Sequence, residues 1–193
     1  ATYDLDVRDA ARWELVVQAV CSDYGPITGL CQVAGVVSDG PDTVLDQSED
    51  GWNRILDTNL KGIWYGMRAV LPQLIEAGGG SVVNVSSVAA LIGMPNTATY
   101  SAAKAGILAL SRQAAIEYSK KNVRVNTVAP GTIETPILGD ITQETYDSMV
   151  AGTPVGRLGK PSDVGALVAH LLGPKGEFIT GQNFVIDGGW TAN

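Results

Sequence analysis

The sequence has little of several things that would mark out a class of protein. Its 193 residues contain two cysteines, Cys21 and Cys31, and one histidine, His170. Two cysteines do not make a disulfide framework, and they read as small buried residues in a reduced, cytoplasmic compartment. No Cys/His cluster offers ligands to a metal, and His170, in the apolar stretch ALVAHLLG, reads as structural. Positive charge is also short. Thirteen Lys and Arg face twenty Asp and Glu, a net charge of -7. The electropositive footprint of a nucleic-acid binder is therefore missing. No apolar run approaches the roughly 18 residues of a membrane span. The start, ATYDLDVRD, has neither the basic nor the apolar region of a signal peptide. Repeats, low-complexity tracts and linkers are absent.

What remains is a chain that is 45% hydrophobic and 17% charged, enough for a single domain over residues 1–193 with its own core. Apolar segments alternate with helical patterns. ATYDLDV reads as the end of a short strand. In residues 9–24, Ala11, Leu15, Val16, Ala19 and Val20 recur at helical spacing, with Asp9 as the N-cap. ITGLCQVAG (27–35) reads as a buried strand running into a glycine turn. A long helix is expected over 48–77, capped by Ser48 and open to a kink at Pro72. A strand follows in GGGSVVNVSS (78–87), a helix over 99–120 and a strand in NVRVNTVAPG (122–131). Residues 132–160 read as loop. PSDVGALVAHLLG (161–173) reads as a helix with proline near its start, and GQNFVIDGG (181–189) as the last strand.

Continuous apolar strands alternating with helices argue for a parallel sheet covered on both faces. Such sheets bind ligands at the carboxyl ends of their strands. Turn and polar residues gather there: Asp6-Val7, Ala34-Gly35, Ser86-Ser87 and PGTIETP. The helix over 99–120 opens with TYSAAKAG. Four residues apart, Tyr100 and Lys104 share a helix face.

The ordered set DLDV, VAG, DTNLKG, GGSVVNVSS, YSAAK, VNTVAPGTIETP and GQNFVIDGG resembles the classical short-chain dehydrogenases/reductases over almost the whole chain. A Tyr-x-x-x-Lys pair alone is common in helices. A serine thirteen positions before the tyrosine, at a strand end, makes the combination specific. The resemblance implies an α/β fold, a Rossmann-like doubly wound parallel sheet, and hydride transfer between a secondary alcohol or ketone and NAD or NADP. It implies Tyr100 as general acid/base, Lys104 as a positive charge that stabilises the phenolate together with the cofactor's nicotinamide and holds the nicotinamide ribose, and Ser87 as donor to the substrate oxygen. Asn59 would hold a water that relays protons from Lys104. Asp6 and Val7 would meet the adenine. Val33, Ala34 and Gly35 would pass under the ribose, and Gly131, Ile133 and Thr135 would hold the carboxamide, Gly131 by allowing close approach. A homotetramer or homodimer through the long helices and the last strand is implied as well.

Each role has an ordinary rival. Tyr100 and Lys104 could be a solvated helix pair, Ser87 a turn residue, Asn59 a brace in a bent helix and Asp6 a strand-end cap. Two departures from the family stand out. Gln32 and Val33 replace a pair of asparagines before Ala34-Gly35. More seriously, no strand with a Gly-x-x-x-Gly-x-Gly turn, which would cradle the pyrophosphate, precedes Asp6. The fold is therefore expected to be N-terminally incomplete by about two βα units, some 50 to 60 residues. That exposes the edge of the ITGLCQV strand and is expected to weaken cofactor binding by this chain alone. Three functions follow: the oxidoreductase, a non-catalytic subunit that has lost its cofactor, and a dehydratase or epimerase on the same fold. The set Asn59, Ser87, Tyr100 and Lys104 favours the first.

Overall fold

Strand β2 (Gly80–Val85) alternates between two covered faces, Val82 buried in one core cluster and Val83 in the other, as the two-residue strand period requires. Around it a computed structural model, which describes residues 1–192, lays out four parallel strands in the order β1-β2-β3-β4. The others are β1 (Gly29–Gln32), β3 (Val123–Pro130) and β4 (Asn183–Ile186). Register runs Leu30 against Val82, Val82 against Val125 and Val128 against Phe184.

One face carries α1 (Ala10–Tyr24), α3 (Gly62–Glu76) and α4 (Ala98–Tyr118), which close over Trp13, Val17, Met67, Leu74, Ile107 and Val125. The other carries α6 (Pro161–Leu172), whose Leu171 packs on Val83 and Val128. Helices on both faces of a parallel sheet make this the doubly wound α/β fold expected from the alternation of elements.

Several local expectations are met. Asp9 caps α1 by accepting from the Arg12 amide at 3.0 Å, and Ser48 caps α2 (Glu49–Leu56) through the Gly51 amide at 3.0 Å. Pro161 opens α6, where no donor is missed.

Others are corrected. Residues 1–6 form no strand, and residues 7–8 form a turn. A strand needs a neighbour to take its amides and carbonyls, and this segment lies against α1 instead. Arg12 Nε donates to the Asp4 carbonyl at 2.8 Å and Trp13 Nε1 to the Val7 carbonyl at 3.1 Å. The buried face of α1 is Trp13 and Val17, and Leu15 stays 56% exposed. The long helix over 48–77 breaks at a π-helical turn, Asp57–Lys61, and Pro72 remains inside α3. The stretch 132–160 contains a helix, α5 (Gln143–Ala151), capped by Thr142 Oγ1 on the Thr145 amide at 3.2 Å. Cys31 and His170 are exposed, and Cys21 is half-buried. The outer edge of β1 has no strand partner among the described residues.

Candidate active site

Parallel strands end together, so the loops that follow them meet. A cavity of about 670 Å³ opens where β1, β2 and β3 end. Val33, Ala34 and Gly35 reach it from β1, Ser87 from β2, and Gly131, Ile133 and Thr135 from β3. Tyr100 and Lys104 enter from the first turns of α4. Nine of the twelve residues singled out in the sequence therefore line one cavity.

Two serines follow β2, and the structure separates them. Ser86 is buried, and its hydroxyl donates to the Lys104 carbonyl at 2.8 Å, which ties the strand end to α4. Ser87 is half-buried at the cavity wall, and its oxygen accepts the Ala89 amide at 3.2 Å. That bond leaves the Ser87 hydroxyl hydrogen to donate to the Tyr100 oxygen or, in its place, to a ligand oxygen.

Lys104 is only 4% exposed. Its Nζ donates to the Val85 carbonyl at 2.9 Å and lies 5.6 Å from the centre of the Tyr100 ring. Burial pushes the ammonium down to about 8. An ammonium has three hydrogens to donate, and one carbonyl satisfies one of them. The space in front of it is kept by Gly35, where a Cβ would stand 3.6 Å from Lys104 Nζ and 3.4 Å from Asn59 Oδ1.

Burial raises the Tyr100 phenol above its ordinary value, and the Ser87 hydroxyl partly opposes that rise. Lys104 is not among the groups that lower the phenol here, and the resemblance gives that work to Lys104 together with the cofactor's positive nicotinamide. Desolvation disfavours the phenolate, and Lys104, itself pushed toward neutrality, does not offset it. The cofactor-free site thus presents a neutral phenol, which is a proton donor.

Asn59 is fully buried in the π turn. Its Oδ1 accepts the Val36 amide and its Nδ2 donates to the Val36 carbonyl, both at 2.8 Å. The side chain is committed to bracing the chain just past Gly35. Gly131 is explained by packing: a Cβ there would meet Asp187 Cβ at 2.8 Å. Ile133 bridges Gly159 through the Thr132 carbonyl and the Glu134 amide, so its own amide is not used in the bridge. Thr135 Oγ1 donates to the Ile133 carbonyl at 3.3 Å.

Asp6 and Val7 stand apart from this cavity. Arg8 grips Asp6 with its side chain at 2.7 to 3.2 Å and its amide at 2.9 Å, holding the carboxyl down to about 2. Val7 packs over Gly62, where a Cβ would lie 2.9 Å from Val7 Cγ2. No spacing pattern marks Arg8 as the partner of Asp6. The commitment of Ser86 was equally hidden, because it joins residues eighteen positions apart.

A family model described as enoyl-(acyl carrier protein) reductase matches residues 1–191. The 2,5-dichloro-2,5-cyclohexadiene-1,4-diol dehydrogenase LinX of Sphingobium indicum is 34% identical over 97% of this chain and 74% of its own length. The chain belongs to the short-chain dehydrogenase/reductase family. A second relative, the cyclohexanol dehydrogenase of an Acinetobacter species, is 38% identical over 91% of this dehydrogenase/reductase and 68% of its own length. Among solved structures, ElxO with NADP bound superposes with a TM-score of 0.92 at 28% identity, over all of this chain and 79% of that one. This short-chain dehydrogenase/reductase is accordingly an NAD(P)-dependent oxidoreductase. Its buried ammonium with unspent hydrogens, beside a glycine that leaves space, is a fit for the cofactor's ribose. Among the described residues no helix is long and apolar enough to cross a membrane.

Proposed function

We propose that this enzyme interconverts a secondary alcohol and a ketone, with Tyr100 exchanging the proton at the substrate oxygen. The observation that carries the reading is the Tyr100–Lys104–Ser87 cluster in one apolar cavity. Its ammonium is buried with two hydrogens unspent, and its phenol is held neutral by burial. The nicotinamide, when bound, supplies or accepts the hydride. The protein's own part is positional and electrostatic. Ser87 donates to the substrate oxygen as charge develops there. Tyr100 donates its proton to that oxygen in reduction and accepts one in oxidation. Lys104 keeps a positive charge on the same face of α4. Gly131, Ile133 and Thr135 would hold the carboxamide, Val33, Ala34 and Gly35 the ribose, and Asp6 and Val7 the adenine. Asn59 acts first on Val36, and any relay of protons from Lys104 would pass beside it.

The cavity wall is aliphatic beyond the polar cluster, with Val85, Ile133 and Ile137 among its residues. Two of the relatives are named for cyclic alcohols. A secondary alcohol on an apolar, ring-sized body is the substrate class proposed. Oxidation of cyclohexanol with NAD or NADP, followed by the absorbance of the reduced cofactor, tests this. Turnover in the wild type and a loss of about a thousandfold in Tyr100→Phe are expected. Turnover by Tyr100→Phe within about tenfold of the wild type would remove the reading.

A second reading has one observation of its own. The Arg8–Asp6 pair occupies the carboxylate assigned to adenine, as it would in a non-catalytic subunit that binds cofactor poorly. Titration with NADH and NADPH decides between them, since binding tighter than about millimolar contradicts the second. A homodimer or homotetramer is proposed through α3 and α4, where Trp64 is 43% exposed. Sedimentation as a monomer at working concentration would remove that proposal.

A further inference from the structure

Helix α4 carries Tyr100 and Lys104, yet its own N-cap residue does not cap it. Thr97 donates to the Met94 carbonyl at 2.9 Å and pairs with Ser101 at 3.0 Å, and its side chain makes no capping bond. The first amides of a helix have no intrahelical acceptor and need one from outside. They are taken by Asp42, which comes from a loop more than fifty residues away in the chain. Its Oδ1 accepts the Thr99 amide at 2.8 Å and its Oδ2 the Tyr100 amide at 3.2 Å. The carboxylate is 1% exposed, and Gln47 Nε2 donates to the same Oδ1 at 3.0 Å.

The backbone of Asp42 is fastened to the same turn. Its amide donates to Asn96 Oδ1 and its carbonyl accepts the Ala98 amide, both at 2.8 Å. Four bonds thus join one residue to residues 96–100. The other end of the segment is fixed as well, by the two bonds between Asn59 and Val36. Midway, Arg54 donates to the Val37 carbonyl and pairs with Asp39, each at 2.8 Å. Residues 36–42 therefore form a strap. It runs from just past Gly35, at the floor of the cavity, to the backbone amide of Tyr100.

We propose that Asp42 is a positioning residue for Tyr100: by capping α4 from the strap, it sets the phenol's place relative to Ser87 and the cavity floor. The inference rests on the reading of Tyr100 as the proton carrier. A buried carboxylate accepting backbone amides at a helix N-terminus is favoured both by the helix dipole and by charge-assisted bonds. Its loss frees the first turn of α4 to fray, and a displacement of about 1 Å can cost on the order of a hundredfold in rate.

The test uses the full chain at a temperature where each variant is folded. Asp42→Ala is expected to lower kcat about thirtyfold, with substrate KM and cofactor Kd within about threefold of wild type. Asp42→Asn, which keeps one of the two acceptors, is expected to lower kcat less than Asp42→Ala does. A kcat for Asp42→Ala within about threefold of wild type overturns the proposal even if Tm falls, because Asp42 would then be a structural cap only. Equal impairment of the Asn and Ala variants also overturns it, because the acceptor that Asn retains would then make no difference to the rate. If Asp42→Ala does not fold, Asn96→Gly decides. Glycine tolerates the φ of 60° at that position, so the substitution removes the bond to the Asp42 amide without backbone strain. A kcat lowered about fivefold supports the proposal and an unchanged kcat overturns it. Tyr100→Phe, assayed alongside, separates the two claims. If it turns over normally, the reading of Tyr100 and this inference fall together. If it is inactive while Asp42→Ala is not slowed, the inference alone falls.

Discussion

The two ends of the proposed cofactor trough are built differently. At the Tyr100 end, side chains are buried and each is held by the backbone of another element: Ser86 on Lys104, Lys104 on Val85, Asn59 on Val36, Asp42 on Tyr100. At the Asp6 end, an exposed carboxylate is gripped by an arginine two residues along, and among the described residues no other group hydrogen-bonds to that carboxylate. The first arrangement fixes geometry, because four elements must move together to disturb it. The second is local and solvated, and such pairs contribute little to stability. The proposed proton transfer, which needs placement to a fraction of an ångström, falls in the first region.

Substitutions at the Tyr100 end should therefore act on kcat, and those at the Asp6 end on cofactor binding. The largest effect expected after Tyr100→Phe is at Ser87. Ser87→Ala should lower kcat on the order of a hundredfold with little change in Tm. Ser86→Ala, one residue earlier, should do the reverse, costing about 1 to 2 kcal/mol of stability because the Lys104 carbonyl loses its partner. Paired kinetics and thermal melts check both, and equal effects on kcat would break the comparison.

Lys104→Met should lower kcat about a hundredfold while raising stability at neutral pH, since it removes a buried charge. The pH dependence has a definite sign. Burial lowers the folded-state value of Lys104 to about 8 from 10.5. Between those values the unfolded chain binds more protons than the folded one, so this group makes stability rise with pH across that window. Denaturant midpoints measured from pH 7 to 10.5 should show the rise in the wild type and lose it in Lys104→Met.

The smallest effects belong to the Asp6 end. Asp6→Ala should raise the cofactor KM less than about tenfold and leave kcat alone. Arg8→Ala should free the carboxylate and lower that KM by a few-fold, about threefold. Steady-state titration of the cofactor distinguishes them, and a large kcat effect from either would erase the contrast between the ends.

Much of the sheet was legible in the sequence because it is written locally. The apolar runs of β2 and β3, the caps Asp9 and Ser48, and Pro161 at the start of α6 each lie within a few residues of the structure they make. Residues 1–7 carry a strand's pattern without a strand, because a strand is defined by its neighbour, and Arg12 and Trp13 hold that segment against α1 instead. Helix α5 was hidden by flanking glycines and prolines, although Thr142 and Glu144 marked its start. The π turn at Asn59 and the cap at Asp42 depend on bonds spanning 23 and 57 residues, which no spacing rule reports. The site showed the same division. Tyr100, Lys104 and Ser87 could be picked out by their spacing, while the protonation of Tyr100 could not, because it follows from burial.

The protonation of Tyr100 is the most direct measurement. The ultraviolet titration of phenolate in the cofactor-free wild type, minus that of Tyr100→Phe, isolates this one tyrosine among six. Burial that outweighs Lys104 should place the transition above the ordinary tyrosine value. A phenolate that forms below that value in the cofactor-free protein would contradict the account.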